Sequence, residues 1–230
     1  MNKRYFELDV LRGSAVVLML LFHFGYDLAY FGYASFKTTQ DVEWILFRGL
    51  ILSMFLISVG MSLYLVYRDE IRGEKLFKRT MKLFAVSVVI SAGSYLVFPT
   101  QWIYFGVIHF IAVASVAGVL FVARPNLALL LGSAIIISYV AGLFRLDGLL
   151  EFLSLYLPLP RHTVDVVSFT PWFGVVLIGI FVMHNRLFGL RSSENHLTQS
   201  VSFLGRHALA VYLLQQPVLF SLFYTIQFLR

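Results

Sequence analysis

Arg12 and His23, in the run LDVLRGSAVVLMLLFHFGYD, carry the chemistry most directly suggested by this chain. Both sit in or beside a long apolar stretch, where an ionisable side chain is costly and marks a functional position by default. Eleven positions separate them, three helical turns, so they share a helix face roughly 16 Å apart along the axis. Such a helix offers a planar cation at one membrane surface and a titratable base near mid-membrane. Asp27 follows His23 by one turn and is placed to tune the imidazole and hold its tautomer. His23 then reads as a general base, with Asp27 orienting it. The opposing reading is a structural His–Asp hydrogen bond between helices. Arg12 suits phosphates or a nucleotide-bearing cofactor. Glu7 and Asp9 precede it, and Gly13 after it permits close backbone approach. Its alternative is simple snorkelling to lipid phosphate.

Other candidates lie far away in sequence. His109 is buried in an apolar run and is a second catalytic candidate. Arg206 and His207 enter the last apolar stretch from the side of Arg12 and join it as cofactor-binding candidates. Gln215 and Gln216 form a buried amide pair, read either as substrate contacts or as interhelical hydrogen bonds. Trp172 follows Pro171 at the start of another apolar run and reads as an interfacial ring or a sugar-stacking surface. Trp102 reads the same way, whereas His162, His184 and His196 lie in or near loops and receive no role.

These residues require a membrane scaffold. The chain has 230 residues, 59% hydrophobic and 13% charged, where soluble domains average about 25% charged. Without cysteine there is no disulfide, thiolate nucleophile or Cys-ligated metal, and no metal site is expected. Seven apolar stretches, near 9–32, 43–67, 79–98, 102–123, 126–145, 169–187 and 204–228, approach or exceed the ~20 residues of a span. The expected fold is an all-α, polytopic bundle of about seven transmembrane helices, forming one domain over residues 1–230. The N-terminal run, in which Glu7 and Asp9 interrupt the basic region, reads as a retained span rather than a leader. Thirteen of the 18 Lys and Arg fall on the N-terminal side of such a bundle, six of them between Arg68 and Lys82. The other five are Lys37, Arg48, Arg145, Arg161 and Arg230. This bias predicts a cytoplasmic N-terminus and explains the net charge of +6 without nucleic acid. The Arg68–Lys82 run itself reads as a topology and lipid-headgroup signal. Of the two long outer segments, Gly32–Asp41 is polar and aromatic. In the other, Leu146–Ser168, LLEFLSLYLPLP suggests a short interfacial helix ended by Pro158 and Pro160.

Four blocks, in order from end to end, resemble a known family. ELDVLRG followed by FHFGYD is similar to the opening span of membrane acyltransferases related to the heparan-alpha-glucosaminide N-acetyltransferase catalytic domain. Its Arg–His spacing also resembles the wider O-antigen-acetylase type. WIYFGVIHFIAVAS, FTPWFGVVLIGI and FLGRHALAVYLLQQPVLF resemble later blocks of the bacterial branch. The resemblance implies a multi-pass protein of the bacterial plasma membrane that moves an acetyl group from cytoplasmic acetyl-CoA to an extracytoplasmic sugar hydroxyl or amine. It implies His23 as base, Arg12 near the donor and His109 as the buried His of the fourth span. Two positions depart from the pattern: His207 stands where Asn is common, and Gln215 where His is common. In the human-type enzyme Asn aligns with His23, and the His lies in the following loop. The expected partners are the bilayer, acyl-CoA and a carbohydrate acceptor, with a homodimer as a compatible assembly. The rival class is a proton- or metal-coupled transporter with His23, Asp27 and His109 as relay or ligands.

Overall fold

The computed structural model describes residues 5–143, 159–160, 163, 165–187 and 195–229. Lys3, Arg4, Arg145, Arg161, His162, Arg191, Arg230 and the expected interfacial helix up to Pro158 lie outside the described residues. Among those described there are eight helices and no strand. They are α1 (Phe6–Tyr30), α2 (Val42–Tyr67), α3 (Gly73–Val97), α4 (Val107–Val119), α5 (Pro125–Val140), α6 (Phe169–His184), α7 (His196–Arg206) and α8 (Ala208–Phe228). Four of them, α1, α2, α3 and α8, are long and apolar enough to cross a membrane. The other apolar helices, α4, α5 and α6, have 13, 16 and 16 residues. At 1.5 Å per residue they reach about 20–24 Å, short of a ~30 Å hydrocarbon core.

Three boundaries differ from the sequence reading, each for a local reason. First, α3 begins at Gly73, six residues before the expected span, and the Glu74–Lys78 pair at 2.6 Å supports its basic first turns. Second, α4 begins only at Val107, because residues 102–106 are tied into non-helical pairings. The Ile103 amide donates to Ser94 Oγ, the Thr163 hydroxyl donates to the Trp102 carbonyl, and the Val167 amide donates to the Phe105 carbonyl. Irregular backbone is tolerated at membrane depth when protein satisfies it in this way. Third, the run expected near 204–228 is broken at His207, whose ψ of 18° departs from the helix. What precedes the break is a separate helix, α7, opened by a capping box in which Asn195 Oδ1 accepts from the Thr198 amide and Thr198 Oγ1 accepts from the Asn195 amide.

The helices fall into two compact units, with α2 contributing to each on either side of Phe55. The first holds α1, the start of α2, α7 and α8. Val16, Met19 and Ile51 form its core, surrounded by Phe22, Phe47, Phe55, Leu204, Val211 and Tyr212. Its tightest approach is α1 on α7: a β-carbon on Gly13 would collide with the Val201 carbonyl, and one on Gly205 with the Asp9 carbonyl. Small residues let membrane helices pack backbone to backbone in this way.

The second unit holds the rest of α2 with α3, α4, α5 and α6. Leu56, Met61, Leu63, Phe110, Val176, Leu177 and Ile180 are among its buried apolar residues. Gly60 lies against the Val176 carbonyl and Gly179 against the Ile57 carbonyl, so α2 and α6 repeat the small-residue packing. Most of α3 is unburied, with Phe84, Val88, Val89, Tyr95 and Leu96 exposed, a surface suited to lipid.

Candidate functional site

The first unit brings together two pairs that the chain separates by about 190 residues. The side-chain amide nitrogen of Gln215 lies 2.5 Å from His23 Nδ1, and Gln216 Nε2 donates to Asp27 Oδ1 at 2.8 Å. His23 and Asp27 are one turn apart on α1, while the glutamines are adjacent on α8. Two consecutive hydrogen bonds therefore clasp one helix to the other. Asp27 is wholly buried and Gln215 is nearly so. Beyond Asp27, Phe31 packs on Phe220 and Phe223 at 5.0 and 5.6 Å, closing the same two helices with an aromatic seam. Pro217 follows the glutamines inside α8 and removes the amide that would bond the Leu213 carbonyl, so the helix is locally weakest beside the clasp.

The geometry differs from the sequence reading at Asp27. Gln215, rather than the carboxylate, engages the imidazole Nδ1. Asp27 is held at one oxygen by Gln216, and its Oδ2 has no hydrogen-bond partner among the described residues. A carboxylate one turn along a helix is the local candidate for orienting a histidine, but an amide arriving from another helix takes that place. A glutamine can present either end of its amide to the ring. With N–H forward, the imidazole keeps its proton on Nε2. With the oxygen forward, Nδ1 carries the proton and Nε2 becomes the basic nitrogen. The carbonyl oxygens of Gln215 and Gln216 and Asp27 Oδ2 are all buried without partners among the described residues. The clasp thus presents hydrogen-bond acceptors that no donor among the described residues satisfies.

The other face of this unit carries the cations. Arg12 Nη1 lies 3.5 Å from Asp9 Oδ1, a loose contact to a buried carboxylate. Because Gly205 abuts Asp9 and Gly13, the α7–α8 junction with Arg206 and His207 lies beside the turn carrying Arg12. Arg206 stacks over Phe203 at 5.8 Å, and His207 Nδ1 lies 3.0 Å from the Phe203 carbonyl, which accepts its proton. Trp44 was not singled out from the sequence. It fills the space left by the absent side chain of Gly25 and packs edge-on against Phe22, the neighbour of His23, at 5.6 Å. A glycine two residues after His23 was the only hint of it.

His109 and Trp172 belong to the second unit. Ser91 Oγ donates its one proton to the Ile103 carbonyl at 2.7 Å, so His109 Nε2, 3.0 Å away, must be the donor to Ser91. His109 Nδ1 in turn accepts the Gly106 amide at 3.3 Å. Both ring nitrogens thus have partners. The imidazole ties the irregular 102–106 segment and α3 to the first turn of α4, whose Val107 amide donates to Asp165. His109→Ala should lower thermal stability by about 1–3 kcal/mol, since it strands a backbone N–H and a hydroxyl. A melting temperature equal to that of the parent protein would remove this role. Trp172 is half-buried in the first turn of α6. Among the described residues, no group of three His, Asp or Glu is arranged to hold a metal ion.

Neither the curated proteins nor the solved structures contain a match to this chain. The family model for heparan-alpha-glucosaminide N-acetyltransferase, catalytic, matches residues 4–217, a stretch that carries Arg12, His23, Asp27, His109, Gln215 and Gln216. With apolar helices of membrane-crossing length and a match over nearly its whole length, the chain belongs to the heparan-alpha-glucosaminide N-acetyltransferase catalytic-domain family of membrane acyltransferases.

Proposed function

We propose that this chain is a single-domain enzyme that moves an acetyl group from acetyl-CoA on the cytoplasmic side to a sugar hydroxyl or amine on the far side, with His23 as general base. The observation that carries this reading is the buried clasp of His23 with Gln215 and Asp27 with Gln216, on a chain of this family. Gln215 accepts from Nδ1–H, so that Nε2 takes the proton of the attacking hydroxyl or amine. The acceptor oxygen or nitrogen bonds the thioester carbonyl carbon, the C–S bond breaks, and the imidazolium returns its proton to the leaving thiolate. Asp27 Oδ2 and the Gln216 carbonyl receive the donors of the incoming sugar. Arg12, with Arg206 and His207 beside it, faces the phosphates of the donor. His109 anchors the second unit. The setting is the bacterial plasma membrane with the N-terminus inside.

Single-turnover transfer from acetyl-CoA to a hexosamine in nanodiscs tests the chemistry. Gln215→Leu should slow the step at saturating acceptor, about tenfold or more, because the tautomer is no longer selected. Asp27→Asn should chiefly raise the acceptor concentration needed for half-maximal rate. The reverse pattern would exchange the two roles, and no transfer by the folded parent protein would refute the enzyme. Topology is tested by single cysteines in this cysteine-free chain. Glu74→Cys should resist an impermeant reagent applied to intact cells, while Lys37→Cys should react. The opposite pattern would invert the orientation.

A further inference from the structure

We propose that Trp44 is a positioning residue for His23: it grips α1 on the side away from the Gln215–Gln216 clasp and fixes the rotation that turns His23 toward α8. This role deepens the reading of His23 as general base and rests on it for its kinetic consequences.

Helix geometry puts the two contacts on different sides of α1. At about 100° per residue, Asp27 lies about 40° around the helix from His23, whereas Gly25 lies about 200° and Phe22 about 260° around in the same direction. His23 and Asp27 meet Gln215 and Gln216 on one side. Trp44 meets Gly25 and Phe22 on the other. The six-membered ring of its indole occupies the space that a side chain at residue 25 would fill, and the indole stands edge-on to Phe22 at 5.6 Å. Phe22 in turn stands edge-on to the His23 imidazole at 5.8 Å. At the level of His23, α1 is therefore held from both sides.

The indole is itself confined. Phe36, in the segment joining α1 to α2, stacks on it at 4.6 Å with ring planes 23° apart. Phe47, one turn further along α2, packs on Trp44 at 6.1 Å and on Phe22 at 6.0 Å, so these three rings all touch one another. Tilted and edge-on contacts of this kind stabilise aromatic clusters beyond the area they bury. An indole free to swing aside would absorb a change at residue 25. One penned between Phe36 and Phe47 passes it on to α1. The hydrogen bond between Gln215 and His23 weakens steeply with misalignment, and that bond is what selects the tautomer of the imidazole.

The test compares Gly25→Ala, Trp44→Phe and the double variant, each as the full chain in nanodiscs at equal folded fraction by size exclusion. Nitrogen NMR of histidine-labelled protein reports the tautomer of His23, whose signal is assigned by its loss in His23→Asn. The parent protein should hold one tautomer. Gly25→Ala drives the indole against α1, and Trp44→Phe leaves a gap there. Each should give a mixture of tautomers and slow single-turnover transfer at saturating acceptor about tenfold, with calorimetric CoA affinity as in the parent. In the double variant the added methyl group fills the gap left by the shorter ring, so tautomer and rate should both return toward the parent. Ordinary packing would instead lower the melting temperature and leave the tautomer and rate of the folded protein unchanged. That result overturns the proposal, as does a tautomer mixture in the parent, or a double variant impaired as much as the two single variants together. Should Gly25→Ala not fold, Trp44→Phe decides by the same two readouts. The NMR readout needs no acetyl transfer: tautomers that shift in the variants, with no transfer by the parent, uphold the positioning role and refute only the enzyme.

Discussion

His23→Ala is expected to lower single-turnover acetyl transfer by at least a hundredfold while leaving donor binding nearly unchanged. A positioned general base contributes about 10²–10⁴-fold, and the alanine variant has nothing at that position to take the acceptor proton. Donor binding survives because Arg12 lies eleven residues, roughly 16 Å, along α1 from His23. Arg12→Ala should show the converse, a calorimetric affinity for CoA weakened about tenfold or more through loss of a charge-assisted contact. His23→Ala also leaves Gln215 without its imidazole partner, so the variant must be compared at equal folded fraction by size exclusion. Gln215→Leu, which keeps the imidazole but not its orienting amide, should fall between the parent protein and His23→Ala. Near-parental turnover in His23→Ala would end the assignment of the base to this residue.

Gly205→Ala is expected to be strongly destabilising for a single-methyl change in the first unit. The added carbon would meet the Asp9 carbonyl and the Gly13 amide nitrogen, both backbone atoms that no side-chain rotation can move aside. The helices must separate, at a cost of about 1–3 kcal/mol from overpacking alone. The separation also disturbs the Arg12 turn, and α8 with its two glutamines follows α7 after a single residue. Gly49→Ala is the matched control, because nothing lies within 4 Å of the carbon it would add. There alanine's better helix propensity should stabilise by about 0.5–1 kcal/mol. Melting temperatures in one detergent would decide it. If the two variants move in the same direction, the close α1–α7 approach is not what the first unit depends on.

The apolar lengths, the basic bias and the four ordered blocks were readable from residue order alone, because each is a property of a continuous segment. That is why α1, α2 and α8 lie close to their expected positions, and why the family was recognisable from motifs such as LDVLRG and FHFGYD. Arg12, His23 and Asp27 stood out for the same reason: a charge in an apolar run is conspicuous without a partner. The late start of α4 was not legible, because Trp102–Gly106 is apolar enough to continue a helix and is held out of it by Ser91, Ser94, His109, Thr163 and Val167. His207 likewise looked like part of a continuous last span.

Partner choice belonged to the tertiary structure. The sequence offered Asp27 to His23 because four residues on a helix make neighbours, and it offered His109 as a second base because a buried histidine is unusual. Packing adds partners that spacing along one helix does not show. Gln215 and Gln216 reach α1 from about 190 residues away and take His23 and Asp27 one each, while Ser91 and the Gly106 amide occupy both nitrogens of His109. Sequence spacing reports which groups can meet along one helix. Which hydrogen-bonding atom is spent, and which remains to receive a ligand, depends on the rotation and approach of other helices, and on this chain close packing at Gly13 and Gly205 sets that approach for α7 against α1.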